Sequence, residues 1–372
     1  MPTLRFPEFR EAGEWDAKEL KDACQMQAGK FVSASKIQEH KNSELYPCYG
    51  GNGLRGYTKS FTHEGKYSLI GRQGALCGNV THVNGKFHAT EHAVVATPKN
   101  NVNTDWLFYE LNLLNLNRYA TGQAQPGLSI ENLEKVRIKI PRFKDEQKKI
   151  ADFLTSVDEL LIAQTQKLDA LKTHKKGLIQ QLFPADGETV PKRRFPEFED
   201  AGDWKIKSFD ELFTIGNGRD YKHLSSGDVP VYGSGGYMLS VNDYLYDGES
   251  VCIGRKGTIN NPMFLTGKFW TVDTLFYTHS FDGCLPRFIY AIFQKINWLK
   301  HNEAGGVPSL SKTNIGKIKV AVPKIPEQQK IADCLASIDE MIISQSQKLQ
   351  SLNVYKKGLM QQLFPAMDEV SA

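Results

Sequence analysis

Two short runs place an arginine between glycines on what reads as a loop: Gly71-Arg72-Gln73-Gly74 and Gly254-Arg255-Lys256-Gly257. Such an arginine can reach a phosphate or take both acceptors of a guanine edge, while the bare backbone lets the ligand come close. Near the first run in sequence lie Tyr49, Asn52, Arg55, Tyr57 and Lys59, with Gln123 and Gln125 on a further polar loop. Near the second lie Tyr232, Ser234 and Tyr237, with Ser309 on a corresponding loop. Basic, amide and aromatic side chains interleaved on glycine-rich loops suit phosphate positioning combined with base-edge recognition. A surface arginine paired with a carboxylate is the plainer alternative.

Other spacings carry less. Gly51-Asn52-Gly53-Leu54-Arg55-Gly56 matches a dinucleotide fingerprint, but no helical pattern follows it, so a glycine-rich turn is expected. His88-Ala89-Thr90-Glu91-His92 matches a zinc signature that must lie on a helix, yet Ala93 to Thr97 reads as a strand. Asn261-Pro262-Met263-Phe264 is similar to the base-holding loop of amino-methyltransferases, without its second proline or a cofactor-binding βαβ unit. No serine, histidine or cysteine constellation recurs. No catalytic centre, metal site or cofactor is expected.

The elements that would position these loops are written twice. Arg5 to Phe9 (RFPEF) followed by Gly13-Glu14-Trp15 returns as Arg194 to Phe198 followed by Gly202-Asp203-Trp204. Tyr49-Gly50-Gly51 meets Tyr232-Gly233-Ser234, and Pro126-Gly127-Leu128-Ser129 meets Pro308-Ser309-Leu310-Ser311. Glu146 to Ala185 returns as Glu327 to Ala366, agreeing at about two-thirds of positions. Both of these read as long helices with a heptad seam. Leu154, Leu161 and Leu168 lie on the first seam; Leu335, Ile342 and Leu349 lie on the second. Gln164 and Gln345 interrupt the two seams at the same layer and are expected to fix register, and Lys175 and Lys356 interrupt them at another. The helices are near-duplicates while the globular segments agree only in their frame. One partner bound twice and two different ligands bound on one scaffold would give that pattern.

Within the globular segments, Tyr67 to Ile70, His92 to Thr97, Val251 to Ile253 and Thr271 to Thr278 read as strands. Asp105 to Tyr119 and Pro286 to Trp298 read as helices, and Val136 to Pro141 and Ile318 to Pro323 as closing strands. The chain has 372 residues and a net charge of +4, enough length for two or more cores but too little charge to decide a partner. Six scattered cysteines, Cys24, Cys48, Cys77, Cys252, Cys284 and Cys334, read as reduced thiols. No apolar run has the length of a membrane span, so the cytoplasm is the expected compartment.

The doubled blocks Glu-Gln-x-Lys-Ile-Ala-Asp and Lys-Lys-Gly-Leu-x-Gln-Gln-Leu-Phe-Pro, with the RFPEF openings and Gly-Arg-x-Gly, resemble the specificity subunit of type I restriction–modification systems over nearly the whole chain. The resemblance implies an α+β internal duplication: two globular target-recognition domains joined by two long antiparallel coiled-coil helices. It divides the chain into recognition domain 1 at 1–145, a central helix at 146–185 and a linker at 186–193. Recognition domain 2 follows at 194–326, then a distal helix at 327–366 and a tail at 367–372. It implies a chain without catalytic activity of its own, whose two domains each read half of a split, asymmetric site in double-stranded DNA. Its partners would be two modification (methyltransferase) subunits and the restriction subunits of the same system. A helix of about 36 residues is about 54 Å long, or roughly 16 base pairs, an adequate ruler for such a site. A coiled-coil adaptor with two domains for ligands other than DNA is the alternative.

Overall fold

The structure, a computed structural model, describes residues 1–74, 76–122 and 126–365. Two compact units emerge: Met1–Gln164 with the stretch from Lys348 onward, and Thr165–Gln347. The principal helices among the described residues are α1 (Thr104–Leu113), α2 (Lys144–Leu182), α3 (Pro286–Lys295) and α4 (Ile325–Leu363). The two long helices, α2 and α4, each contribute one part to each unit.

In the first unit a six-stranded sheet runs in the order Cys24–Ala28, Ala93–Pro98, His63–Gly71, Val80–Ala89, Tyr46–Gly50, Gly53–Thr58. Its pairings are antiparallel except that of Tyr46–Gly50 with Val80–Ala89. The second unit spreads corresponding strands over two four-stranded sheets. One has the order Thr214–Asn217, Leu275–His279, Ser250–Gly254, Met263–Leu265; the other Gly236–Val241, Ser226–Gly233, Lys268–Thr271, Tyr246–Asp247. Strand Ser250–Gly254 is buried throughout, which its apolar centre Val251-Cys252-Ile253 permits. Each unit also closes with a two-stranded ribbon, Asp16–Glu19 against Arg137–Ile140 and Lys205–Ser208 against Lys319–Val322.

Three expected elements are shorter. The helix expected over Pro286 to Trp298 ends at Lys295, where Ile296 turns extended before a 3-10 turn at Trp298–His301. The helix expected over Asp105 to Tyr119 ends at Leu113, because Asn115 adopts a left-handed conformation (φ 46°) before a short 3-10 turn. The strand expected over Thr271 to Thr278 is broken at Val272–Thr274, where a turn lets Leu275 enter the other sheet.

The repeated sequence blocks meet in each unit. Arg5 gives Glu146 a two-pronged ion pair (Nε–Oε1 2.7 Å, Nη2–Oε2 2.8 Å), and Trp15 Nε1 donates to the same carboxylate at 3.2 Å. Arg194, Glu327 and Trp204 repeat this at 2.7, 2.7 and 3.2 Å. The third arginine nitrogen binds the carbonyl of Gly13 or Gly202, and both glycines have φ near +75°, which a side chain would oppose. The next residue, Gln147 or Gln328, clamps three backbone groups. Gln147 takes the N–H of Asn103 and donates to Asn101 and Pro141; Gln328 does the same with Leu285, Gly283 and Pro323. Beside each anchor the phenylalanine after the opposite long helix completes an aromatic cluster. Phe364 lies against Trp15 and Trp106, and Phe183 against Trp204 and Phe288.

The helix halves run antiparallel within each unit. In the first, Ile150, Leu154 and Val157 share a core with Leu359 and Leu363; in the second, Ile179 and Leu182 share one with Ile331 and Leu335. Of the remaining expected seam positions, Leu161, Leu168, Ile342 and Leu349 are half-buried, as is Gln164, while Gln345 is buried. The lysine interruptions also have partners: Lys175 Nζ binds both Asp339 oxygens (2.6 and 2.8 Å) and Gln294, and Lys356 binds Asp158. Tyr109 on α1 donates to Asp158 at 2.8 Å, so that ion pair also ties the globular segment to the helix pair.

A buried, paired carboxylate predicts a large cost for its loss. Glu327→Ala leaves Arg194 without its partner and should destabilise the second unit by about 3 kcal/mol in urea unfolding. Breaking the exposed Lys148–Asp152 pair should leave the urea midpoint almost unchanged. On α1, Glu110 is wholly buried, and burial pushes its carboxyl from 4.5 up to about 8. The folded unit therefore holds a proton that the unfolded chain has lost, and stability falls as pH rises from about 4.5 to about 8. Glu110→Gln should remove this fall, raising the urea midpoint at pH 8 more than at pH 4.

Candidate nucleic-acid interface

The two Gly-Arg-x-Gly runs follow strands His63–Gly71 and Ser250–Gly254, and each is pinned on both sides by backbone bonds. Arg72 N–H donates to the His92 carbonyl (2.9 Å), and the Arg72 carbonyl accepts from Leu128 N–H (2.8 Å). Arg255 repeats this with Thr274 (2.8 Å) and Leu310 (2.9 Å). Gly74 N–H then meets the Pro126 carbonyl, and Gly257 N–H the Pro308 carbonyl. The arginine run and the Pro-x-Leu-Ser run are thus neighbours in both units, joined by bridges Gln73–Gly127 and Lys256–Ser309.

A hairpin tip completes each group. Strands Tyr46–Gly50 and Gly53–Thr58 turn at Gly51-Asn52, which is why the apparent dinucleotide fingerprint lies on no helix. Gly51 packs so closely that a Cβ there would stand 3.2 Å from the Gln73 and His92 carbonyl oxygens. A Cβ on Gly71 would come within 2.2 Å of the Gly51 oxygen. In the second unit the hairpin turns at Ser234-Gly235, and Ser234 Oγ would be 3.3 Å from a Cβ at Gly257.

These tips border open clefts. The first, about 430 Å³, is lined by Gly50 to Arg55 with Gln73, Gly74 and His92. The second, about 800 Å³, is lined by Gly233 to Met238, the turn Val272–Thr274, and Asp220, Tyr221 and Lys222. Asn52, Arg55, Gln73, Ser234 and Tyr237 are therefore cleft residues. Arg72 is half-buried, and its Nε donates to the Leu128 carbonyl at 3.3 Å. Arg255 is exposed, 5.9 Å above the Phe276 ring, while Lys256 is exposed and bridged to half-buried Ser309.

Some expected residues stand elsewhere. Tyr49 packs edge-on against Phe87, and burial raises its pKa; Tyr232 is half-buried beside Tyr237 and the buried cluster of Phe269. Tyr57 pairs through its backbone with Gln38, and neither it nor exposed Lys59 lines the cleft. Gln123 and Gln125 lie outside the described residues. His88 sits at the end of a strand with its ring on Ser60 and the Lys30 carbonyl, and His92 in the following turn, so neither occupies a helix.

Other polar groups emerge only in three dimensions. Lys312, after the second Pro-x-Leu-Ser run, is half-buried, and its pKa is lowered by burial and by the charge of Arg255. Ile130 holds the matching place in the first copy, so the repeat gave no hint of it. His92 lines the first cleft from the turn before strand Ala93–Pro98, with Glu91 beside it, and Asp273 and Thr274 line the second from the turn that interrupts the expected strand.

The model of the type I restriction modification DNA specificity domain matches residues 12–173 and again 201–354. The chain belongs to that family. A 158-residue stretch is 46% identical to the type I restriction enzyme EcoprrI specificity subunit of Escherichia coli, spanning 42% of this chain but only 39% of that protein. A putative type I restriction enzyme specificity subunit of Haemophilus influenzae is 23% identical over 79% of this chain and 80% of its own. The fold is similar to the crystal structure of the type I restriction–modification S subunit from M. genitalium, with a TM-score of 0.71 at 18% identity, covering 99% of this chain and 100% of that one.

In this member of the specificity family the repeated blocks build the frame, and the clefts lie on the loops between them. The frame makes strict demands at the cleft margin. Gly71→Ala, driven onto the Gly51 carbonyl, should lower the first unit's stability by about 1–3 kcal/mol in urea unfolding. Gly177→Ala, on α2 with open space around it, should instead gain up to about 1 kcal/mol.

Proposed function

We propose that this chain is the non-catalytic DNA-reading subunit of a type I restriction–modification complex. Each globular unit reads one half of a bipartite, asymmetric site in double-stranded DNA, the long helices set the distance between the halves, and they dock two methyltransferase subunits that the restriction subunits join. One observation carries this reading. In each unit a cleft is lined by the hairpin tip and by the turn ending at His92 or Thr274, to which the arginine of the Gly-Arg-x-Gly run is held by the same backbone hydrogen bond, yet the cleft side chains differ. A repeated frame with unlike contents suits two unlike half-sites. The Arg255 carbonyl takes the N–H of Leu310, two residues before Lys312, so two cations belong to one loop pair, which suits a phosphate.

The docking of two like partners draws support from the helices. Leu160 and Ile162 on α2 and their counterparts Met341 and Ile343 on α4 are all exposed apolar side chains. An apolar pair kept in water twice, at matching places in the repeat, suits one partner surface bound twice.

The test is binding of the full chain to duplex DNA over a range of salt concentrations, followed by methylation mapping together with its modification subunits. Affinity should fall linearly on a logarithmic salt scale. Arg255→Ala should disturb one half of the methylated sequence and leave the other intact. Salt-independent association, or equal loss on every DNA sequence, would reject half-site reading by the second unit.

A further inference from the structure

We infer that three spatially adjacent positions in each unit, 73, 91 and 92 in the first and 256, 273 and 274 in the second, form the box that makes the two half-sites differ. This deepens the proposed DNA-reading function and rests on it.

The backbone of the box is the same in both units. Thr90 N–H donates to the Tyr49 carbonyl (2.9 Å) and Ala93 N–H to Thr90 (3.0 Å); Val272 and Tyr232 (3.0 Å), and Leu275 and Val272 (2.9 Å), repeat this. The last residue of each turn, His92 or Thr274, accepts from the arginine of the Gly-Arg-x-Gly run, which sets the residue after that arginine beside it. On this shared backbone the side chains are Gln73, Glu91 and His92 in one unit, and Lys256, Asp273 and Thr274 in the other.

In the first unit they form a chain. Glu91 Oε1 lies 3.2 Å from His92 Nε2, and His92 Nδ1 lies 2.9 Å from Gln73 Oε1. An ionised carboxylate only accepts, so Nε2 carries a proton; Nδ1 holds the amide oxygen of Gln73 when it too is protonated, and the amide N–H, with the amide turned end for end, when it is not. The remaining end of that exposed amide belongs to the cleft, where it can present a fixed donor or acceptor to a base edge. Carboxylates are repelled by phosphate, so Glu91 and Asp273 beside a DNA cleft serve selection rather than grip. Glu91 is a positioning residue acting through His92. Lys256, exposed and held through its backbone beside Thr274 rather than among the residues lining the second cleft, offers instead a mobile point cation at its margin, a chemistry that favours guanine acceptors. The box thus places an oriented amide in one half and a cation in the other.

The experiment selects duplexes from a randomised DNA library with the full-length chain, unaltered or carrying His92→Thr, Glu91→Gln or Gln73→Ala, and compares the enriched sequences. The unaltered chain should enrich a two-part sequence. Each variant should lose about tenfold of its preference at one or two neighbouring base pairs of one half, keep the other half, and keep the salt dependence of binding. Gln73 is exposed, so its variant tests the box even where the turn variants unfold. Unchanged preference in Gln73→Ala, or equal loss in both halves, overturns the box alone. If the unaltered chain enriches no sequence, DNA reading fails and the box with it.

Discussion

Everything else in each unit hangs on one buried carboxylate. Glu146 and Glu327 stand near the starts of the long helices, 1% and 2% exposed, and each holds an arginine and a tryptophan from the opening of its own copy. A charge that deep survives only with its geometry complete. The demand fixes the opening segment, the glycine turn whose carbonyl takes the spare arginine nitrogen, and the tryptophan that roofs the aromatic cluster. The neighbouring glutamine then fixes where the globular segment leaves and re-enters the helix. A short block of sequence thereby sets the pose of a whole domain without touching its cleft.

That separation explains why the copies have diverged unevenly. Frame residues bind other frame residues, so a change in one leaves a buried polar group unpaired. Cleft residues sit on turns whose backbone bonds are already satisfied, so a histidine can stand where the other copy has threonine. The lysine layers belong to the frame too. Lys175 with Asp339 and Lys356 with Asp158 specify which residues of the antiparallel helices lie opposite one another, a constraint that leucine seams alone leave loose.

The duplication, the seams and the hairpin tips were legible because each rests on local spacing. Leu154 and Leu335 fall on a heptad whatever surrounds them, and Gly51-Asn52 turns because no helix pattern follows it. The partners of Glu146 and Lys175 were not legible, because those pairs join residues far apart in sequence and spacing says nothing about who meets whom. Aromatic type misled in one respect: Tyr49 and Tyr232 sit among suggestive neighbours but are half-buried against the cores. The turn at Val272–Thr274 was hidden inside an apolar run that reads as one strand, and with it the side chains that border the cleft.

The crossed ownership of the aromatic clusters bears on how the molecule comes into being. The second unit is a single continuous stretch, Thr165–Gln347, and can form as soon as it leaves the ribosome. The first cannot. Its Trp15 waits for Phe364, and Thr3 and Gln362, 359 residues apart, meet at its edge. At about 5–20 residues per second, the earliest-made segment spends tens of seconds with its aromatic roof open before the last helix arrives. That interval is when the nascent chain is most exposed to chaperones and to aggregation.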